Sequence, residues 1–107
     1  MPAYIVVQGS VTDPVGFADY VRAVTPLVER MGGRYLAVGG RPSVVEGDWG
    51  YEALVVHEWP DRTAAERFWH SSEYAEVRKL RSGRGEFLVL IVDGAAPQQE
   101  DKHVTAG

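Results

Sequence analysis

The predicted strand over residues 86–92 is apolar at almost every position, and this feature restricts the fold most strongly. A strand with one face in water alternates between apolar and polar side chains, because successive residues point to opposite faces of the sheet. This strand has an apolar set on each face: Phe87, Val89 and Ile91, and Leu88, Leu90 and Val92. The sequence therefore predicts a sheet that is covered on both sides.

The first half of the chain predicts a strand and a long helix. β-Branched residues favour a strand over 3–11, and Asp13 caps a helix whose first residue is Pro14. One buried stripe follows at helical spacing: Phe17, Val21, Val24, Val28 and Met31. Pro26 removes a backbone hydrogen bond within this helix, so we expect a kink there or a short second segment capped by Thr25. Gly32-Gly33 ends the helix.

The second half predicts three further strands, a short extra strand and two helical pieces. The strands cover 34–38, Val44–Val45, 51–59 and 86–92. Asp61 caps a helix that continues to Trp69, and Ser71-Ser72 can cap another that ends near Gly83. The order β-α-β-β-α-β predicts the ferredoxin-like α+β fold, a four-stranded antiparallel sheet with two helices on one face. We assign residues 1–94 to this domain and 95–107 to a flexible polar tail.

The strand over 51–59 is also largely apolar on both faces, which indicates a partner for the open face of the sheet. Alternation places Ala53, Val55, His57 and Trp59 on one face and Glu52, Leu54, Val56 and Glu58 on the other. We therefore expect a homodimer, a dimeric α+β barrel in which two sheets pack face to face. A monomer with an exposed patch is the alternative, although such patches tend to be association sites.

The 107-residue chain has a net charge of -4 and no cysteine. Negative charge argues against a general affinity for nucleic acid or anionic membranes, because both attract a basic surface. The lack of cysteine excludes disulfides, thiolate metal sites and a cysteine nucleophile. The N-terminus lacks a secretory signal, and no apolar run approaches the roughly 20 residues of a membrane span. We expect a cytoplasmic protein that binds neither nucleic acid nor membrane.

Two adjacent residues are candidates for acid–base catalysis. His57 has an imidazole that can give and take protons near neutrality. If Trp59, on the same strand face, packs under the helices, His57 is instead a core histidine bonded to backbone. Glu58 points to the opposite face, toward a cavity expected between the two sheets, where a desolvated carboxylate could act as base or acid. Its alternative is an ion pair or hydrogen bond to the partner subunit.

Five further residues on strands and turns are candidates for binding a substrate. Tyr35 and Tyr51 could donate phenolic hydrogen bonds to a ligand oxygen, or simply pack at the edge of the sheet. Trp49 follows a Gly-Asp turn and would either cover a pocket or plug one end of the domain. Tyr4 and Gln8 share one face of the first strand and could form a pocket wall with polar tips.

The predicted helices add two substrate-binding candidates. Phe68 and Trp69 are adjacent, so only one can face the core squarely, and the other could contact the pocket or the partner. Arg81, near a helix end, could bind an anion, although a favourable interaction with the helix C-terminus explains it equally well.

The sequence lacks the motifs that a metal site, a phosphate-binding loop or a hydrolase would require. No His-x-x-x-His or paired carboxylate–histidine spacing indicates a metal site, and Gly39-Gly40 lacks the following helix of a phosphate loop. No Gly-x-Ser-x-Gly elbow supports a hydrolase. His57 or His70 could ligate haem, but nothing else in the sequence favours it. We expect no metal and no cofactor.

Seven short motifs, in order and spacing, resemble the bacterial family called domain of unknown function 1330. They are T-D-P at 12–14, G-R-Y-L at 33–36 with G-G at 39–40, E-G-D-W at 46–49, E-W-P at 58–60, F-W at 68–69, S-E-Y at 72–74 and L-R-S-G at 80–83. The resemblance covers residues 3–94 and implies membership of the dimeric α+β barrel superfamily. That superfamily includes cofactor-independent monooxygenases, lactone isomerases, polyketide cyclases and haem-degrading enzymes, so it implies architecture far more strongly than chemistry.

The chain departs from the family pattern at three places. Members often have Arg where Val38 stands and a Pro-x-Arg ending at 51–53, and an aliphatic residue usually occupies the position of His57. Because paired arginines bind carboxylates bidentately, their loss implies a more neutral, aromatic or polyketide-like ligand.

The sequence thus predicts a small cofactor-independent enzyme that uses acid–base chemistry on an apolar aromatic or polyketide-like molecule. The reaction would be an oxygenation, a cyclisation or an isomerisation. Glu58 or His57 would move the proton, while Tyr35, Tyr51 and Trp49 orient the substrate. The alternative is a non-catalytic binding or accessory protein whose apolar sheet face is only a dimer core.

Overall fold

Apart from the short strand predicted at Val44–Val45, the strands and helices follow one another as the sequence predicts. The structure is a computed structural model that describes residues 1–95, and the predicted tail after Ala95 lies outside the described residues. Its elements are β1 (Ala3–Val11), α1 (Pro14–Arg30), β2 (Arg34–Gly40), β3 (Ala53–Trp59), α2 (Arg62–Trp69), α3 (Ser72–Arg78), a 3₁₀ turn (Lys79–Arg81) and β4 (Gly85–Asp93). Within residues 1–95, no helix has the length and apolar character needed to cross a membrane.

The four strands form one antiparallel sheet in the order β2-β3-β1-β4. Ile5 in the centre of the sheet pairs with His57 of β3 and Ile91 of β4, so these three side chains share one face. The helices cover that face, and we call the opposite one the open face. The predicted ferredoxin-like α+β fold is confirmed.

Helix α1 starts at the predicted cap and is longer than either expected segment. The Asp13 side chain accepts a hydrogen bond from the Gly16 amide at 3.1 Å. The helix then continues through Pro26, so a second segment capped by Thr25 is wrong: the Thr25 hydroxyl donates to the Val21 carbonyl at 2.9 Å. Pro26 has no N–H, so the carbonyl one turn earlier in the helix lacks its usual partner. Because Pro26 is exposed, water can bond this carbonyl instead.

Helices α2 and α3 each begin at a predicted side-chain cap. Asp61 accepts from the Ala64 amide at 2.8 Å, and Ser71 accepts from the Tyr74 amide at 3.0 Å. The Ser71 cap starts a new helix immediately after Trp69, which orients the two helices separately over the sheet.

The core lies between the sheet and the helices. Its buried apolar residues are Ala3, Ile5, Val24, Leu27, Val28, Trp59, Ala65, Phe68 and Tyr74. Trp59 is fully buried and lies against Gly33, where a Cβ would stand only 2.7 Å from Trp59 Cζ2. Glycine at 33 therefore permits the close approach of the turn after α1 to the largest core side chain.

Residues 41–52 form no strand, so the predicted strand at Val44–Val45 is wrong. Arg41 has a φ of 69°, a left-handed conformation that ends the extended path of β2. Val44 and Val45 are exposed, and regular pairing resumes only at Ala53. β-Branched residues do not make a strand where no neighbouring strand is within reach.

Candidate functional site

A cavity of about 360 Å³ lies between the helices and the covered face of the sheet, and we call it the helix-side cavity. Its walls are almost wholly apolar and aromatic. The lining residues come from α1, α2, α3 and three strands: Ile5, Val7, Phe17, Tyr20, Val21, Val24, Thr25, Tyr35, Val38, Val55, His57, Phe68, Trp69 and Tyr74. A cavity of this size and lining is typical of sites that take a small apolar molecule.

An irregularity in edge strand β2 supplies two of these walls. Tyr35 pairs with His57 and Ala37 pairs with Val56, so Leu36 is an extra residue in β2. A bulge of this kind changes the direction of the strand's side chains. Tyr35 and Val38, three positions apart, therefore both line the helix-side cavity.

His57 is the one ionisable imidazole in the helix-side cavity, and Trp59 holds it in place. The Trp59 indole Nε1 donates to His57 Nδ1 at 2.8 Å. An indole nitrogen can only donate, so Nδ1 must be the unprotonated nitrogen and Nε2 carries the hydrogen. The partner of His57 is thus a tryptophan side chain, and not the backbone that the core alternative invoked.

Burial keeps this imidazole neutral. His57 is only 4% exposed, and the loss of solvation lowers its pKa from 6.5 to about 4. Its neighbours are aromatic: Tyr35 and Phe68 approach the imidazole edge-on, with ring centroids 5.2 and 5.9 Å away. Near pH 7, His57 therefore presents an uncharged Nε2–H donor.

Phenolic hydroxyls form a second polar group in the helix-side cavity. The Tyr20 and Tyr74 hydroxyl oxygens are hydrogen-bonded at 2.9 Å. Burial raises the pKa of Tyr20, and it also raises the pKa of Tyr35. Tyr20 and Tyr35 therefore stay protonated at neutral pH and can act as hydrogen-bond donors.

Glu58 does not reach the helix-side cavity, because alternation along β3 directs it to the open face. There Glu58 accepts hydrogen bonds from the Arg34 guanidinium at 2.8 Å and from the Tyr4 hydroxyl at 3.3 Å. The two predicted catalytic residues therefore lie on opposite sides of the sheet. Glu58 and Tyr4 belong to a polar group at one margin of the open face.

Trp49, Tyr51 and Gln8 meet at one end of the sheet. The Trp49 indole donates to Gln8 Oε1 at 2.8 Å, and the Trp49 and Tyr51 rings lie 6.1 Å apart. Both rings line a separate, more open depression of about 580 Å³ beneath residues 41–52. These three predicted binding residues are therefore close to one another but separate from the helix-side cavity.

The helical candidates lie on the helix side of the sheet, whereas the sequence predicted a cavity between two sheets on the open face. Phe68 is 2% exposed in the core, whereas Trp69 is half-buried and lines the helix-side cavity. Arg81 lies over the Phe87 ring at 4.5 Å and the Tyr20 ring at 5.7 Å. Stacking on these rings gives Arg81 a packing role beside the cavity wall.

Of the nine predicted site residues, the structure brings together three in the helix-side cavity: His57, Tyr35 and Trp69. The hydroxyl pair of Tyr20 and Tyr74 was not among the predicted site residues. Tyr20 lies three residues after Phe17 and four before Val24, so it belongs to the buried stripe of α1 and could have been found from that spacing. In residues 1–95, no cluster of three or more His, Asp or Glu side chains could hold a metal ion.

The sheet order and the helices on one face define a ferredoxin-like α+β protein, the class that also includes dimeric α+β barrels. The chain belongs to the family described as domain of unknown function (DUF1330), whose model matches residues 2–95. The resemblance inferred from the sequence motifs is confirmed. No curated protein sequence matches this chain.

Several solved structures have similar folds. A protein of unknown function from Rhodopseudomonas palustris has a TM-score of 0.73 at 18% identity, covering 90% of this chain and 84% of that one. SnoaB, a cofactor-independent oxygenase from Streptomyces nogalater, has a TM-score of 0.65 at 13% identity, covering 92% and 98%. A dimeric ferredoxin-like protein of unknown function from Jannaschia sp. has a TM-score of 0.65 at 10% identity, covering 88% and 100%. Identities this low establish the shared fold alone.

Proposed function

We propose that this protein is a cofactor-independent enzyme that binds an aromatic or polyketide-like molecule in the helix-side cavity. The supporting observation is the buried His57, whose Nδ1 accepts a hydrogen bond from Trp59, so that its hydrogen is on Nε2, and whose side chain lines an apolar cavity. A hydrogen-bond donor fixed in a dry site stabilises negative charge on a substrate oxygen far better than the same donor in water.

The tautomer of His57 decides its chemical role. Because Nε2 carries the hydrogen, His57 acts as a donor to the substrate oxygen rather than as the base that the sequence suggested. A neutral imidazole of lowered pKa serves this purpose in other enzymes. The suitable substrates are enolisable aryl ketones or phenols, which can lose a proton to water at the opening of the cavity once their anion is hydrogen-bonded.

Such an anion is the common starting point of oxygenation, cyclisation and isomerisation. The fold shared with SnoaB favours testing oxygenation first. In that reaction the electron-rich enolate itself reduces oxygen, so the protein needs to supply only binding, orientation and stabilisation of the anion. Trp69 and Phe17 would stack on the ring system, while Tyr35 would orient its oxygens.

Two copies of the chain pair through the open face in this proposal. Leu88, Leu90 and Val92 are each 43–48% exposed there, a contiguous apolar stripe along β4. Val6 and Val56 extend the stripe across the sheet, since Val6 pairs with both Leu90 and Val56. Contiguous apolar surface of this kind marks association sites. Glu58, with Tyr4 and Arg34, would then lie at the subunit interface.

The test uses 9-anthrone, a tricyclic ketone with an acidic CH₂ group. One anthrone and one O₂ give anthraquinone and water, so an oxygen electrode and anthraquinone absorbance measure the same turnover. We expect the protein to accelerate the reaction and His57→Phe to slow it by about 100-fold, the usual effect of removing an oxyanion donor. Glu58→Gln should keep the activity, which separates the two catalytic candidates.

The alternative is a non-catalytic binding protein. It is favoured by one observation: the helix-side cavity contains no carboxylate, lysine or arginine that could take up a proton or stabilise an anion by charge. Saturable binding of anthrone without oxygen uptake would establish this alternative. Full activity of His57→Phe would overturn the role given to His57.

A further inference from the structure

The hydroxyl pair of Tyr20 and Tyr74 has one more proton than its hydrogen bond uses. Two hydroxyls carry two protons, and the 2.9 Å bond between their oxygens uses one of them. Whichever tyrosine donates, the other keeps an O–H that can donate to a third group. Among residues 1–95, neither hydroxyl has another side-chain or backbone acceptor.

The spare donor belongs to a hydroxyl pair that borders the helix-side cavity. Tyr74 is 3% exposed and Tyr20 is half-buried, and both line the cavity. Buried hydroxyl groups in folded proteins almost always have a hydrogen-bond acceptor. The spare O–H is therefore available to an acceptor that enters the cavity with a ligand.

His57 supplies a second hydrogen-bond donor that lacks an acceptor among the described residues. Its Nδ1 is bonded to Trp59, and its Nε2–H has no acceptor within residues 1–95. Phe68 lies between the two donors, with ring centroids 5.9 Å from His57 and 4.7 Å from Tyr74. These two separated donors lie on an aromatic surface beside the Tyr35 hydroxyl and Trp69, and no charged side chain lines the helix-side cavity.

We infer that the helix-side cavity selects a neutral aromatic compound with two separate carbonyl oxygens, of the quinone or polyketone class. This inference rests on the proposed function for the location of the site and adds the feature that is recognised. A hydrocarbon of the same shape leaves both donors without acceptors, which is unfavourable in a dry site. A carboxylate would be buried without a cation, which is more unfavourable still.

Three bicyclic probes of similar shape separate these cases in calorimetric titrations of the intact protein. They are 2-methyl-1,4-naphthoquinone, 2-methylnaphthalene and 2-naphthoate. The quinone cannot form a thiol adduct, because the chain has no cysteine. We expect the quinone to bind at least about 10-fold more tightly than the hydrocarbon, and the carboxylate to bind most weakly.

The double variant Tyr20→Phe/Tyr74→Phe tests the hydroxyl pair itself. It should lose about 10-fold in quinone affinity while its affinity for the hydrocarbon stays unchanged, which also shows that the cavity is intact. Each single variant keeps one hydroxyl with a free O–H, so each should retain most of the preference. If the double variant fails to fold, the probe series on the unchanged protein still decides.

The outcomes separate this inference from the proposed function. Equal affinities for quinone and hydrocarbon would overturn the selection and leave an apolar aromatic site in place. Tighter binding of the carboxylate than of the quinone would also overturn it. If none of the three probes binds, both the selection and the proposed function fail.

Discussion

Trp59 and His57, two residues apart on the covered face of β3, are joined by a 2.8 Å hydrogen bond from the indole Nε1 to the imidazole Nδ1. Trp59 is fully buried, whereas His57 also lines the helix-side cavity. This bond therefore connects a fully buried core side chain, Trp59, with the imidazole that lines the candidate site. It fixes both the ring orientation and the tautomer of His57.

Replacing Trp59 by Phe should release the His57 tautomer. The variant lacks the only donor to Nδ1 among the described residues, so the Nε2–H form should no longer predominate. Imidazole ¹⁵N chemical shifts measure the tautomer directly. We also expect a loss of about 3 kcal/mol in the free energy of unfolding, from the smaller side chain and the missing bond.

Trp49→Phe is the matched control for this variant. It removes an indole hydrogen bond of equal length, from Trp49 to Gln8, at the far end of the sheet. The His57 shifts should remain unchanged in Trp49→Phe. An unaltered tautomer in Trp59→Phe would show that the indole does not determine it.

The neutral His57 should make stability depend on pH. Burial lowers the folded-state pKa to about 4, below the unfolded value of 6.5, so the unfolded chain binds more protons between these limits. Stability is therefore complete above about pH 6.5 and declines as the pH falls toward 4. The expected loss between pH 7.5 and pH 5 is about 2 kcal/mol, measurable by urea unfolding.

Two histidine variants show whether His57 causes this pH dependence of stability. His57→Phe should remove most of the pH dependence in this range. His70→Gln should preserve it, because His70 is exposed at the end of α2. The same slope in His57→Phe as in the original protein would refute the assignment.

Gly33 and Gly39 offer a comparison of two glycines with different surroundings. A Cβ at Gly33 would lie 2.7 Å from Trp59 Cζ2, whereas nothing lies within 4 Å of a Cβ at Gly39. Gly33→Ala should lower the free energy of unfolding by about 1–3 kcal/mol, because the indole must shift within a packed core. Gly39→Ala should change it by less than about 0.5 kcal/mol. Equal effects in denaturant titrations would exclude the steric explanation.

The element order and most helix starts could be predicted because they depend on local chemistry. Asp13, Asp61 and Ser71 cap helices wherever their side chains reach a free amide, and alternation separates the faces of a strand. Alternation also placed His57 and Glu58 on opposite faces. It led to the expectation of a cavity on the Glu58 face and did not predict the helix-side cavity, since that cavity depends on how α1 and α2 pack over the sheet.

The errors came from features that only tertiary structure decides. Val44 and Val45 have high strand propensity, but the left-handed Arg41 turns the chain away from the sheet before they could pair. The sequence predicts that Trp49, Tyr51 and Tyr35 orient one substrate. In the structure, Trp49 and Tyr51 line a separate depression at the end of the sheet. The partner of His57 could not be read from the sequence either, because the hydrogen bond requires a particular rotamer of Trp59.

The homodimer proposal predicts that one charge on the open face separates the subunits without unfolding them. Leu90 lies midway along edge strand β4 on this face, where it pairs with Val6 of β1, and is 48% exposed. Leu90→Asp would place a carboxylate in an apolar interface, where it has no cation to pair with. We expect the original protein to have the mass of two chains in size exclusion with light scattering, and Leu90→Asp to have the mass of one.

Val45→Asp is the control, because Val45 is 93% exposed and lies in residues 41–52, which form no strand of the sheet. It should remain a dimer. Far-UV circular dichroism should show the same helix and strand content in all three proteins, since Leu90 does not belong to the core beneath the helices. A monomeric original protein at micromolar concentration would contradict the pairing, and so would a Leu90→Asp variant that stays dimeric.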